Sequence, residues 1–368
     1  MRVAGALLFL LVLLAGGCAD QPTEPPPPPD RTLWRVRADG SGDFTDIQEA
    51  VNASNSGDTI LVGPGHYASL HSGQVAGIPR LAVFIVLFRS IRIIAEEGPD
   101  STIVGDLSTT DYAIVCGNAG STSISGFDVR GGGNGGILLH RTNGRITGNR
   151  VTGATTALRC EQGTVLADSN AFLGNREGII AAGTTLTTSG NRIEDCELKA
   201  ISCTQGTHAT LVGDLLVGSG NANLAVSESD ADATRLLIAG GTNLGVDVFA
   251  SRLTLRESTV VGNTGIGIVL SGVSDLEADR VIITLSGGCG TQLAADGSTQ
   301  QFTCSDVWAN GLITGGPCTS PTGNGNFSRD PVFCDLAAED YTLRATSPCS
   351  PDSSGGCGLI GALGVACP

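Results

Sequence analysis

The chain has 368 residues, a formal net charge of −15, 53 glycines, and only 4% aromatic and 15% charged residues. That charge excludes a nucleic-acid binder working through a basic surface, and it disfavours polyanionic ligands unless a cation or a local basic patch intervenes. Twelve cysteines fit an oxidising compartment.

In chain order, Arg2 precedes an uncharged apolar run from Ala6 to Leu14, then Ala15, Gly16, Gly17 and Cys18. The run is too short to span a bilayer as a helix and reads as an export signal. Leu14-Ala15-Gly16-Gly17-Cys18 resembles a bacterial lipobox, with Ala15 where leucine is usual. Residues 1–17 are therefore expected to leave as a signal peptide, and Cys18 to carry a lipid as the chain's only membrane attachment. Plain secretion, with cleavage near Ala19, is the alternative. Residues 18–30 include five consecutive prolines, Pro25 to Pro29, a stiff extended spacer. These features place the protein in the envelope of a Gram-negative-type bacterium or outside the cell.

Residues 44–53 read as a short amphipathic helix, with Thr45 and Gln48 as a capping box and Ile47, Ala50 and Val51 facing inward. Leu81 to Phe88 reads as a buried strand. Asp39 and Asp43 flank Gly-Ser-Gly and suit the capping of an entry turn. His66 reads as structural or exposed, and His71 and His208 have no partner that the sequence names.

From there the chain repeats. A polar or small residue, one intervening residue and a large apolar one recur, the apolar member being Val129, Val151, Phe172, Ile193, Leu216, Ile238, Val260 and Val281. The gaps are 22, 21, 21, 23, 22, 22 and 21 residues. Such a period marks a solenoid, and short β-branched runs between Gly, Asn, Asp and Ser mark strands and turns. The expected fold is all-β: a right-handed parallel β-helix of about ten coils over residues 31–310, roughly 45–50 Å long. The apolar residues would stack inside. Asn149, Asn170 and Asn191 would stack as an amide ladder at a bend, with Asp214, Ser258 and Asp279 in the same position. Cys116, Cys160 and Cys203 share one coil position on alternate coils, about 9–10 Å apart. That is too far for a disulfide, so they read as small buried hydrophobes, with a bridge to Cys196 as the competing arrangement. Beyond Cys289 the rhythm loosens. Residues 311–368 are expected to form a cap stapled by Cys334, Cys349, Cys357 and Cys367, with connectivity left open. Eleven cysteines besides Cys18 leave at least one unpaired or bridging chains.

The segment Val36 to Val51 resembles the entry of pectinesterases and other pectin-lyase-like β-helix proteins. Ile91–Gly105, Ile124-Ser125-Gly126-Phe127, and Asp330–Cys334 together with Cys357–Leu363 resemble secreted bacterial right-handed β-helix repeat proteins. The resemblance spans the chain after residue 30 and implies the fold. The catalytic segments of pectinesterases, polygalacturonases and pectate lyases do not follow it, so no catalytic residue carries over.

Two constellations are candidates from the residues alone. Asp106, Asp111 and Asp128, with Arg130, His140 and Arg145, would place acids and cations on one surface, the ingredients of glycoside hydrolysis; a solvated outer face is the plainer reading. Glu228, Asp230 and Asp232 alternate and would point one way in a strand, a set that could bind calcium; an ordinary acidic loop is the plainer one. No other cofactor is indicated. The leading functional expectation is a monomeric, non-catalytic surface for polysaccharide or surface interaction. The second is a carbohydrate-active enzyme, whether lyase, hydrolase, esterase or epimerase.

Overall fold

A computed structural model describes residues 32–107, 111–131, 133–311, 318 and 321–368. Residues 1–31, and with them the expected signal peptide, Cys18 and the proline linker, lie outside the described residues. From Thr32 the chain winds into a right-handed parallel β-helix, the hand that crossovers between parallel strands adopt. Each coil lays down three short strands. Face one runs from Phe84–Leu87 through Tyr112–Gly117 and Gly135–His140 to Thr291–Leu293. Face two runs from Leu33–Val36 to Thr299–Thr303, and face three from Gly65–Tyr67 to Asp306–Trp308. Thr156–Asp168 and Glu177–Ser189 continue round the corner between faces one and two. Those faces therefore merge into one sheet of 20 strands, while face three is a separate sheet of 11. The stack is longer than the ten coils expected, with twelve strands on face two among the described residues.

The interior forms as the period demands. Val129, Val151, Phe172, Ile193, Leu216, Ile238 and Val260 stand in register on face three, all fully buried. The next member is Ile283, then Val307, rather than Val281. The turn at Gly272-Val273, both with positive φ, carries one more residue than the equivalent turn at Ala250. It shifts everything after it, so Asp279 leaves the ladder position for face two, opposite Arg256. Cys116, Cys160 and Cys203 are free thiols in the core on alternate coils, and Cys196 is free and buried as well.

Polar ladders hold the corners. Between faces two and three, Asn170 Oδ1 accepts from Asn149 N (3.0 Å) and Nδ2 (3.1 Å), while its Nδ2 donates to Ile146 O (2.8 Å) and Asn191 Oδ1 (2.9 Å). The rung repeats at Asn191 and Asp214. It passes through Ser258 and Ser305 to Asn326, so the stack runs on past residue 310. The corner between faces one and two has a hydroxyl ladder that the sequence reading missed. There Thr184 N, Thr207 N, Ser229 N, Ser251 N and Ser274 N each donate to the hydroxyl of the next coil.

The N-terminal cover is the helix Ile47–Ala53, with Ile47, Gln48, Ala50 and Val51 buried. Asp46, not Thr45, is its N-cap, and its carboxylate accepts from Glu49 N at 3.2 Å. Gln48 is not free for a capping box. Its side chain accepts from Ile85 N (2.6 Å) and donates to Ile85 O (3.2 Å), pairing the first strand of face one as a peptide would and blunting that edge. The run Leu81 to Phe88 is divided. Ile78–Ala82 pairs antiparallel with His71–Val75 in a hairpin, and Phe84–Leu87 is the buried strand. Leu81 and Phe88 are exposed. The hairpin turns at Ala76-Gly77, both with positive φ, as a two-residue turn requires.

The C-terminal tail folds back along the outside rather than sitting only on the end. Phe333, Leu343, Cys349 and Ile360 pack with Ala239, Val261 and Ile282 on the outer side of face three. Gly361 N donates to Arg280 O, and Ala362 N to Thr259 Oγ1. Disulfides Cys289–Cys318, Cys304–Cys357 and Cys334–Cys367 fasten it. Cys349 departs from the expected four-cysteine staple: it is a free thiol, buried against the coils, and donates to Asp306 Oδ2 at 3.4 Å.

Asp306 faces outward beneath this tail and is fully buried. Burial pushes its carboxyl up to about 6, against the lowering effect of hydrogen bonds from Arg329 N and Cys349. A folded-state value above the unfolded one favours the neutral acid. The resulting stability is full below about pH 4 and lost as pH rises through about 6. The tail is therefore expected to lose on the order of 3 kcal/mol between pH 4 and 7.5 relative to Asp306→Asn. Denaturant titrations at both pH values check this, and equal pH slopes for the two proteins would refute it.

Candidate functional site

Outward residues follow from inward ones. With Leu139 and Cys160 in the core of face one, His140, Arg159 and Glu161 must face out. His140 Nδ1 lies 3.1 Å from Glu161 Oε2, and Arg159 Nε donates to Glu161 Oε1 at 2.5 Å. Burial works to raise the Glu161 carboxyl, but the bonds from Arg159 and His140 outweigh it and hold it below the ordinary range. His140 is largely buried, and its Nε2 has no hydrogen-bond partner among the described residues. Two coils back, Tyr112 lies beneath the Arg80 guanidinium, 5.5 Å from the ring centroid. Burial raises the Tyr112 hydroxyl above its usual value.

The hairpin sets the boundary of this surface. Val75 and Ala82 pack on Ile85, Tyr112, Val115 and Leu138, covering the first coils of face one. Asp111 ties the hairpin down, accepting from Leu81 N (2.9 Å), Asn134 Nδ2 (2.8 Å) and Arg80 Nη1 (3.4 Å). Past the hairpin the outward row continues through Glu177, Lys199 and Asp247. Burial raises the Asp247 carboxyl, and the Lys199 charge partly offsets that. From Arg159 to Asp247 is four coil steps, or roughly 19 Å.

The acids and cations named from sequence do not all converge. Asp111 and His140 belong to face one, and Asp111 is committed to the hairpin. Asp128 and Arg130 are on face three, where Asp128 pairs with Arg130 (3.3 Å) and Arg150 (3.1 Å). Asp106 and Arg130 line one shallow cavity with His66 and Leu107. Arg145 is on face two, 4.0 Å from Asp168. The acidic trio is divided. Asp230 and Asp232 do share the outward side of one strand, where they pair with His208 (3.5 Å) and Arg256 (3.9 Å), but Glu228 occupies a left-handed turn (φ 49°) outside it. Among the described residues no three His, Cys, Asp or Glu side chains group to hold a metal. The remaining polar residues are structural. Asp39 accepts from Ser41 N, Asp43 from Arg35 N, His66 Nε2 lies 2.9 Å from Gly105 O, and His71 pairs with Asp46. Sequence reasoning missed Arg80, Tyr112, Arg159 and Glu161. The signal for two of them was present, since an inward Cys160 turns both its neighbours outward.

Comparison with known proteins agrees on architecture. Residues 99–236 match a family described as "Periplasmic copper-binding protein (NosD)". No curated protein matches the chain. Among solved structures, the A-module of mannuronan C-5 epimerase AlgE4 from Azotobacter vinelandii superposes with a TM-score of 0.54 at 12% identity. It covers 72% of this chain and 83% of that one. Pectate lyase Pel9A superposes with 0.53 at 14% identity, covering 91% and 96%. These likenesses show the pectin-lyase-like β-helix and nothing finer. Copper, implied by the family's description, does not fit the described residues. Copper sites use thiolate, thioether or imidazole ligands, yet burial pushes the Cys116, Cys196 and Cys203 thiols up to about 12, and no cluster of ligands forms. No chemistry is derived through it.

Proposed function

We propose that the protein is an exported β-helix, tethered by a lipid on Cys18, that binds a polysaccharide along face one without turning it over. The observation that carries this is the outward set Arg159, Glu161, Glu177, Lys199 and Asp247, which extends over four coil steps, roughly 19 Å, beyond the hairpin. An extended polymer, rather than a compact ligand, matches such a row. The non-catalytic part is supported by Glu161. Both its oxygens are engaged and it is held ionised, so it is no proton donor for a leaving group.

Titration of neutral and acidic polysaccharides, with assays for reducing ends, unsaturated products and released acid, tests the reading. At least one polysaccharide should bind without products. Arg159→Ala and Glu161→Ala should each weaken that binding tenfold or more, because each removes a charged hydrogen-bonding group from the surface. Unchanged affinity in both variants would remove face one as the binding surface. In the tether test, Cys18→Ser should move the protein from the membrane to the soluble fraction.

One observation favours an enzyme instead. His140, oriented through Nδ1 by Glu161 and unpartnered at Nε2, has the arrangement of a general base held by a carboxylate. Turnover that disappears in His140→Ala would decide for this reading.

A further inference from the structure

Face two is polarised along the stack. Ile60, Ile93, Ile124, Ile146 and Ala167 point into the core, so their strand neighbours point out. Over the first six strands, from Leu33–Val36 to the second half of Thr156–Asp168, that outward side holds Arg35, Arg92 and Arg145. Among the described residues its one acid there is Asp168. Farther along, Asp230, Asp232, Asp275, Glu277 and Asp279 outnumber Arg252 and Arg256.

The arginines of the two halves are engaged differently. Arg252 lies 3.8 Å from Glu277, and Arg256 lies 3.9 Å from Asp232 and 3.6 Å from Glu277. Arg92 and Arg145, two coil steps or roughly 10 Å apart, are bonded mainly to hydroxyls. Arg92 Nη2 donates to Thr59 Oγ1 (2.9 Å) and Arg145 Nε to Thr147 Oγ1 (3.2 Å), with Asp168 4.0 Å from Arg145. Ser121, Ser123, Asn143 and Thr164 line the shallow depression between them. Arg141 stands exposed at the adjoining corner, its Nε donating to Gln162 Oε1 at 2.7 Å. At the opposite corner Glu96 is paired with Arg37 (2.6 Å) and Asp100 with Arg150 (2.8 Å), which leaves Glu97.

A chain of net charge −15 meets an anionic surface productively only through such a local patch, and guanidinium groups suit phosphate oxygens. The patch lies at the end of the stack that the tether joins. Residues 18–31 lead into Thr32, and Leu33 is two coil steps from Arg92. Fully extended, that segment spans at most about 50 Å. We infer that the first coils of face two dock on the phosphate headgroups of the membrane that holds the anchor, with Arg92, Arg141 and Arg145 making the contact. This rests on the lipid on Cys18 proposed above, which makes the second contact intramolecular, so that a weak one suffices. The acidic coils are repelled by the same surface. The stack is thereby set with its C-terminal end away from the membrane and face one open to its ligand.

The test uses the Cys18→Ser protein, which separates the patch from the tether, and cosedimentation with vesicles of equal parts phosphatidylglycerol and phosphatidylcholine. The protein should bind these but not phosphatidylcholine alone, and added salt should weaken the binding steeply. Arg92→Gln and Arg145→Gln should each weaken it about fivefold, and the two together about 25-fold. Arg256→Gln, on the acidic coils, should change it less than twofold. Contacts this weak do not hold the untethered protein in the membrane fraction of a dilute extract. Absence of binding to the phosphatidylglycerol vesicles would overturn the docking, as would binding that Arg92→Gln and Arg145→Gln leave unchanged. Displacement by inorganic phosphate beyond that by chloride at equal ionic strength would also overturn it, making the patch a site for the free anion. The tether fails separately. If the wild-type protein is soluble, the lipid is absent, and the vesicle result still decides the patch.

Discussion

Replacing Asn170 with alanine is expected to cost about 4 kcal/mol. The substitution deletes four side-chain hydrogen bonds in a site without solvent. Two of the partners keep another bond. Asn149 Nδ2 still donates to Ile124 O, and Asn191 Oδ1 still accepts from Asn170 N. Asn149 N and Ile146 O are left buried with nothing to replace the amide, at about 1–3 kcal/mol each. Asn170→Asp restores the acceptor but not the donor, so it should be nearly as damaging. The chain carries its own control at Asp214, where an aspartate occupies the rung and the Thr188 hydroxyl donates to it. Asp214→Asn should therefore cost much less than Asn170→Asp. Urea denaturation of the three variants checks the order. If Asn170→Asp and Asp214→Asn were equally tolerated, the ladder would not be the source of the stability.

Removing the Cys304–Cys357 bond is expected to cost a similar amount, about 4 kcal/mol, from the 53-residue separation that it closes. The two effects differ in where they appear. Asn170 is in the middle of the stack, so its loss should raise hydrogen exchange in the coils on either side of it. Cys304→Ser with Cys357→Ser should release the tail and expose the outer side of face three. Amides of Val261 and Ile282, buried beneath Phe333, Leu343 and Ile360, should then exchange faster, with Phe172 and Ile193 little changed. Exchange that stayed the same at Val261 and Ile282 would show that apolar packing alone retains the tail.

Period made most of the fold legible. A recurring apolar position at intervals of 21–23 residues identifies the core from Val129 to Val260, the asparagine ladder and the alternate-coil cysteines. Legibility ended where spacing stopped being informative. At Gly272-Val273 one additional turn residue moved the register, and nothing in the local pattern distinguishes an inserted corner residue from a lengthened strand. The hydroxyl ladder escaped notice because Ser and Thr also populate ordinary turns, so their recurrence at a corner carries less contrast than asparagine. The hairpin and tail add contacts between segments far apart in sequence, such as Ala362 with Thr259, to which a repeat is blind. The outward site was partly readable. An inward Cys160 implies outward Arg159 and Glu161, a signal that was passed over, and the pairing of His140 with Glu161 across neighbouring coils needed the register itself.

The returning tail also changes how the molecule comes apart. A stack of nearest-neighbour units loses order from its ends, one unit at a time, because each terminal coil has a single neighbour. Here the last coils cannot fray singly. The tail touches the outer side of face three at Ala239, Val261 and Ile282 and is cross-linked to Cys289 and Cys304. Opening the C-terminal end therefore means lifting a segment that spans several coils at once. The smallest cooperative unit at that end is a block of coils rather than one coil. The opposite end, covered by a helix of seven residues, is left as the softer place from which unravelling begins.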